Sequence, residues 1–159
     1  MTHEIRKEIT LKVSLDKVWA AISNADEFGQ WFGVRFDGPF KAGEKLKGVI
    51  VPTTVNDEVA AMQKPYEGTP FEIVVAEITP QTRFSFHWHP YAVDKSIYYS
   101  DEPMTLCTFT LSEVADGVHL VITETGFENI PLARRAEAFT ANDGGWEAQT
   151  KLIEAYLDL

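Results

Sequence analysis

FEIVVAEITPQTRFSFHW, residues 71–88, holds the pattern from which the fold can be read. Two apolar runs, at about 70–78 and 82–89, flank the turn signal Thr79-Pro80. In the second run Phe84, Phe86 and Trp88 alternate with Arg83, Ser85, His87 and His89. Side chains along a strand alternate between its faces, so the three aromatic residues share one face and the polar residues the other. Consecutive strands joined by so short a turn must run antiparallel. The product is a hairpin whose aromatic face some other part of the chain has to cover.

The same signals extend outward. Residues 4–13 alternate, with Ile9, Leu11 and Val13 opposite Glu8, Thr10 and Lys12, and predict a half-buried strand. Further strand-like runs lie at about 44–51, 104–114 and 118–125, separated by turn signals at Asp37-Gly38-Pro39, Lys41-Ala42-Gly43 and Asp116-Gly117. The Asp-Gly pair between Val114 and Val118 predicts a two-residue type I′ hairpin. Two connections, 52–68 and 90–103, are long enough to be lids or interface segments.

Helical signals sit at the two ends. Ser14 caps a predicted helix with Asp16 and Lys17 in its first turn and Val18, Trp19 and Ile22 behind them. Asn24 or Asp26 caps a second short helix ending near Trp31. Toward the C-terminus the period becomes helical, with Leu132, Ala136, Phe139, Trp146, Ile153 and Leu157 on one stripe. Gly144-Gly145 predicts a break, giving a short helix from about 131 and a longer one from about 143 to 158, capped by Asn142 or Asp143. Fifteen or so residues at 1.5 Å each span roughly 22 Å, the length of a seven-residue strand, so this helix can cover the sheet. The fold class is α+β: a curved antiparallel sheet of about six to seven strands, two short N-terminal helices and one long C-terminal helix. All 159 residues read as one domain.

Composition narrows the partners. A net charge of −10, with no basic cluster larger than Arg6-Lys7 or Arg134-Arg135, excludes binding to a nucleic-acid backbone and disfavours anionic membranes. No apolar run approaches the roughly 20 residues that span a bilayer, and MTHEIRKEIT has no secretory character. Cys107 is the only cysteine, which points to a reducing, cytoplasmic setting and to a small buried hydrophobe.

Four segments in this order, SLDKVWAAISNADEFGQWF, FEIVVAEITPQTRFSFHW, ITETGF and GGWEAQTKLIEAYL, resemble one known group. The chain is similar to the family named for the activator of the ninety-kilodalton heat-shock protein's ATPase. That family lies within the START-like (SRPBCC, birch-pollen-allergen-like) superfamily of helix-grip folds. The resemblance implies a bent sheet gripped by the helix with an apolar cavity between them, in a superfamily of ligand carriers, sensors and a few enzymes. The eukaryotic activator resembles this chain only through its C-terminal domain. The activator's chaperone-contacting N-terminal domain has no counterpart in these residues, so chaperone contact is not expected.

Alternation nominates the residues that would line such a cavity. Phe84, Phe86 and Trp88 form one row; Cys107, Phe109 and Leu111 a second; Val118, Leu120, Ile122 and Glu124 a third. Phe139 and Trp146 would close it from the helix, and Trp31, Phe32 and Arg35 would stand at its mouth with Tyr91, Tyr98 and Tyr99 of the 90–103 connection. The same residues would suit a packed core. Glu124, on the apolar side, would be partly desolvated, which favours its neutral form or a polar ligand partner; a solvated strand end, or pairing with Arg35, is the alternative. His87 and His89 leave one face of a strand, but a closed metal site needs further ligands, so neither metal nor cofactor is expected. No G-x-S-x-G elbow, P-loop, H-E-x-x-H or Gly-rich dinucleotide pattern occurs.

The expected function is a binding protein holding a small hydrophobic or amphipathic molecule between sheet and helix. A protein-interaction module, co-chaperone-like or homodimeric, is the first alternative. An enzyme of cyclase, dehydratase or hydrolase type using Glu124 is the second.

Overall fold

In the computed structural model, which describes residues 4–92 and 99–158, seven strands form one antiparallel sheet. In chain order they are β1 (Ile5–Leu11), β2 (Val34–Phe36), β3 (Lys45–Ile50), β4 (Pro70–Thr79), β5 (Arg83–Trp88), β6 (Thr105–Val114) and β7 (Gly117–Thr125). Their order across the sheet is β1-β7-β6-β5-β4-β3-β2, so the meander runs in sequence and the first strand closes back onto the last. A register shift between Val75 and Glu77 bends β4 against β5. Four α-helices accompany the sheet: α1 (Leu15–Ser23), α2 (Ala25–Phe32), α3 (Asp57–Gln63) and α4 (Leu132–Leu157). None of the described helices is long and apolar enough to cross a membrane.

The short helices begin where the caps foretell. Ser14 Oγ accepts from the Lys17 N–H at 3.3 Å, and Asn24 Oδ1 accepts from the Glu27 N–H at 3.0 Å. Asn24 also ends α1 by donating its own N–H to Ala20 O, so one residue serves both helices. Two elements were not foreseen: the three-residue β2, and α3, which occupies part of the 52–68 connection.

The β6–β7 hairpin differs from expectation by one residue. Val114 pairs with Gly117, leaving Ala115-Asp116 as the loop, and neither loop residue has the positive φ that a type I′ turn demands. Gly117 instead stands in the strand at φ 147°, where an added Cβ would lie 2.1 Å from the Leu11 carbonyl oxygen. The close approach of β1, rather than the turn, requires glycine there.

The break expected at Gly144-Gly145 is absent. Helix α4 runs unbroken for 26 residues, about 39 Å at 1.5 Å per residue. The reason is tertiary. Asp143 and Glu147 both hold Lys7 of β1, at 3.0 and 3.4 Å, while Asn142 and Trp146 both hold Glu124. Two i, i+4 pairs thus straddle the glycines and tie both sides to the sheet. Asn142 and Asp143 are tethers, not caps. The buried stripe of α4 comprises Ala138, Trp146, Thr150, Leu152 and Ile153, whereas Leu132 and Ala136 of the expected stripe are exposed.

Phe28 of α2 fills the middle of the molecule. Its ring lies 4.6 Å from Trp31, 6.0 Å from Phe109, 6.3 Å from Phe86 and 6.4 Å from Phe84, centroid to centroid. Removing so enclosed a ring costs on the order of 3–5 kcal/mol.

Candidate functional site

The register of the central strands assembles the most unusual group in the molecule. Trp88 lies opposite Thr105, and Cys107 opposite Glu124. Glu124 is wholly buried. A carboxylate in that position costs several kcal/mol unless its lone pairs are met. They are met: Trp88 Nε1 and Thr105 Oγ1 donate to Oε2 at 2.8 and 2.6 Å, and Trp146 Nε1 donates to Oε1 at 2.9 Å. Asn142 Nδ2 spans both oxygens at 3.0 and 3.1 Å. The two indoles can only donate, so the set complements a carboxylate, and every donor is neutral. The alternative of a solvated strand end or of pairing with Arg35 is not realised: Glu124 is buried and Arg35 is exposed on β2. The Cys107 thiol, also fully buried, is pushed well above its ordinary range by burial and then by the Glu124 charge.

The hollow expected between sheet and helix is filled. Trp31, Phe84, Phe86, Phe109, Leu120 and Ile122 all belong to the buried core around Phe28. Trp31 does not stand at a mouth; its Nε1 donates inward to Ala21 O at 2.9 Å. Phe139 packs on Phe127, 5.1 Å between centroids, in the turn that follows β7. The rows face inward as alternation says, but their rings interdigitate with Phe28.

Open space begins where these rows end. A cleft of about 390 Å³ takes Phe32 from α2, Ile50, Phe71 and Trp88 from the sheet, Tyr91 and Tyr99 from the connection after β5, and Asn142 from α4. Phe32, Phe71 and Trp88 touch one another, with centroids 5.8–6.0 Å apart and planes inclined by 55–80°. A crevice of about 70 Å³ shares Phe32, Trp88 and Asn142 with the cleft and reaches Trp146 and Gln149. There Gln149 Nε2 donates to Phe32 O at 3.2 Å, while Gln149 Oε1 is buried without a partner. A groove of about 470 Å³ between α1 and the end of α4 is larger but shallow and fringed by Asp16, Lys17 and Glu27.

Arg134 holds the tyrosine-bearing connection to α4. Its Nε donates to Glu102 Oε1 at 2.8 Å and its Nη2 to Pro90 O at 2.9 Å, and its guanidinium lies 4.7 Å from the Tyr99 ring centre. Tyr91 beside it keeps a positive φ of 50°, a conformation few non-glycine residues sustain without support. Tyr98 lies outside the described residues. His89 Nε2 meets Glu102 O at 3.1 Å and His119 Nε2 meets Glu8 at 2.9 Å.

Of the expected site residues, Phe32 and Trp88 line the cleft, Trp146 lines the crevice, and Glu124 anchors the framework behind both. Thr105, Asn142, Gln149, Phe71 and Arg134 were missed. Asn142 and Trp146 stand one turn apart, and Thr105 faces Trp88 across β5 and β6, so spacing and register together could have found both missed donors to Glu124, Asn142 and Thr105.

A long helix laid on a seven-stranded antiparallel meander, with two short helices after the first strand, defines a START-like helix-grip protein. The chain belongs to the family described as activator of Hsp90 ATPase homolog 1-like protein, whose model matches residues 12–158. Among solved structures it is similar to a protein of Mesorhizobium loti, 18% identical, with a TM-score of 0.70 over 98% of this chain and 96% of that one. A Chromobacterium violaceum protein is similar at 18% identity and a TM-score of 0.67, covering 100% and 99%. A protein from the dynemicin biosynthetic locus is 20% identical with a TM-score of 0.68, but this chain spans only 48% of it. At these identities the likeness is one of fold. No curated protein matches the sequence.

Proposed function

We propose that the protein binds a small amphipathic molecule in the cleft at the open end of the sheet. The guest sits at the mouth formed by Phe32, Phe71 and Trp88 rather than deep between sheet and helix. The observation that carries this reading is the combination of an aromatic cleft of about 390 Å³ with a wall held rigid from behind, Trp88 and Asn142 both being locked onto Glu124. Sites of this size, mostly apolar with a few placed polar groups, are the usual form of small-molecule pockets. Fixed rings also lose little freedom when a guest arrives. Glu124 holds the wall and has no lone pair to spare for turnover, so binding is favoured over acid–base catalysis.

The test is a thermal-shift series of the full chain with linear alcohols from hexanol to decanol. Melting temperature is expected to climb with ligand concentration as RT ln(1 + [L]/Kd) requires, and more steeply with longer chains. Ile50→Trp, which fills the cleft, is expected to abolish the shift. An unchanged melting temperature across the series, or a shift indifferent to Ile50→Trp, removes the cleft as a binding site.

A further inference from the structure

We propose that the guest is a protonated primary or secondary amine carried on a short apolar body; this rests on the cleft being the binding site. Three independent features converge on that chemistry.

The first is an acceptor in need of a donor. Gln149 lines the crevice, and its Oε1 is buried with no hydrogen-bond partner, while the amide's other end is committed to Phe32 O. A buried acceptor left unmet is costly, and an ammonium N–H is a strong donor to it. The crevice of about 70 Å³ has room for such a headgroup but not for a ring.

The second is the rings. Phe32, Phe71 and Trp88 line the cleft together at inclinations of 55–80°; Phe32 backs onto Phe28 and Trp88 onto Trp146, which leaves at most one face of each of these two toward a guest. A cation over such faces is attracted by their quadrupoles, most strongly over indole. Trp88 and Trp146 also donate their N–H groups to a carboxylate, which makes both indoles richer in electrons.

The third is the field. The Glu124 carboxylate accepts only from neutral donors, so no bonded cation cancels its charge. In the described lining of the cleft, Glu72 and His89 are the ionisable side chains other than tyrosine, and Lys and Arg do not occur. Arg134, behind Tyr99, is paired with Glu102. The whole chain carries −10. An anionic headgroup would meet Glu72 with no Lys or Arg in the described lining to offset it, and Glu124 behind the wall would add to the repulsion.

The experiment titrates the full chain calorimetrically with hexylamine, hexanol and hexanoate at pH 7 and one ionic strength, so that the tail is constant and only the head changes. Hexylammonium is expected to bind at least tenfold tighter than hexanol, the order a desolvated cation–π contact supplies, and hexanoate weakest. Two variants localise the effect. Phe71→Leu keeps apolar bulk but removes a ring face, and Gln149→Leu removes the acceptor; each is expected to cut the amine's advantage over hexanol to below about threefold. Hexanol or hexanoate binding as tightly as the amine overturns the amine assignment while leaving the cleft reading intact. An amine advantage untouched by both variants assigns it to the acidic surface and overturns the proposal as well. Failure of all three compounds to bind removes the cleft reading along with it.

Discussion

Trp88 and Trp146 donate their indole N–H groups to opposite oxygens of one buried carboxylate, Oε2 and Oε1 of Glu124, at 2.8 and 2.9 Å. Their rings lie 5.6 Å apart and only 31° from parallel. A strand of the sheet and the C-terminal helix are thus joined through a single acid, and the wall of the cleft is made at the same junction.

Replacing Glu124 with Gln turns one acceptor into an NH2 that faces an indole able only to donate, Trp88 on one side or Trp146 on the other. Unsatisfied donors at a wholly buried position cost about 1–3 kcal/mol each, so Glu124→Gln is expected to lower unfolding free energy by at least about 2 kcal/mol in urea titration. Stability equal to the parent would mean that the network does not hold the two elements together.

Gly144 and Gly145 sit in a helix with nothing within 4 Å of the place a Cβ would occupy. Each costs roughly 0.5–1 kcal/mol against Ala in a helix interior. Gly144→Ala and Gly145→Ala are therefore expected to stabilise the protein by about that amount apiece. A loss of stability from either would show that the pair is needed for a bend.

Tyr156 donates its hydroxyl to Glu27 Oε1 at 2.9 Å, and burial, followed by that bond and the Glu27 charge, pushes its phenol from an ordinary 10.0 up to about 12. The folded state thus holds the proton more tightly than the unfolded chain. The resulting stabilisation is fully present below pH 10 and is lost as pH rises through about 12. Tyr156→Phe is expected to flatten the fall in melting temperature across that window. An identical slope in parent and variant would exonerate this phenol.

Cys107 combines complete burial with a thiol held in its protonated form. Since thiolate is the nucleophile, iodoacetamide at pH 8 is expected to leave the native protein unlabelled and to modify it only in denaturant. Rapid native labelling, read by mass spectrometry, would contradict this environment.

Arg134→Lys keeps the charge but loses the planar fork that reaches Glu102 and Pro90 together. Hydrogen exchange at residues 91–92 and 99–102 is expected to accelerate at least several-fold, with a smaller change elsewhere. Unaltered protection there would mean that the connection is held by other contacts.

The antiparallel meander, both helix caps and the inward rows were legible because each is written in local spacing or in a single residue's chemistry. Ser14 and Asn24 bond where their side chains say they should. The three residues of β2 carry too little periodicity to be seen. The unbroken α4 was hidden because the tethers of Asn142, Asp143, Trp146 and Glu147 are long-range, and glycine alone argues for a break. Alternation identified which rings face inward but carries no information on how far apart the layers stand. Phe28, whose ring takes up the supposed hollow, lies on α2, outside every strand row. Glu124 stood out because an acid on an apolar face breaks the pattern; its donors come from three other elements or their margins, and only the assembled register unites them.

The sheet ends on β1 at one border and β2 at the other. Three residues offer a docking strand almost no template, and the opposite border carries Arg6, Lys7 and Glu8 in succession, with Lys7 engaged by α4. Both margins are thereby poor seeds for strand-by-strand growth, so concentrated solutions of this protein should resist fibril formation until α4 itself has detached.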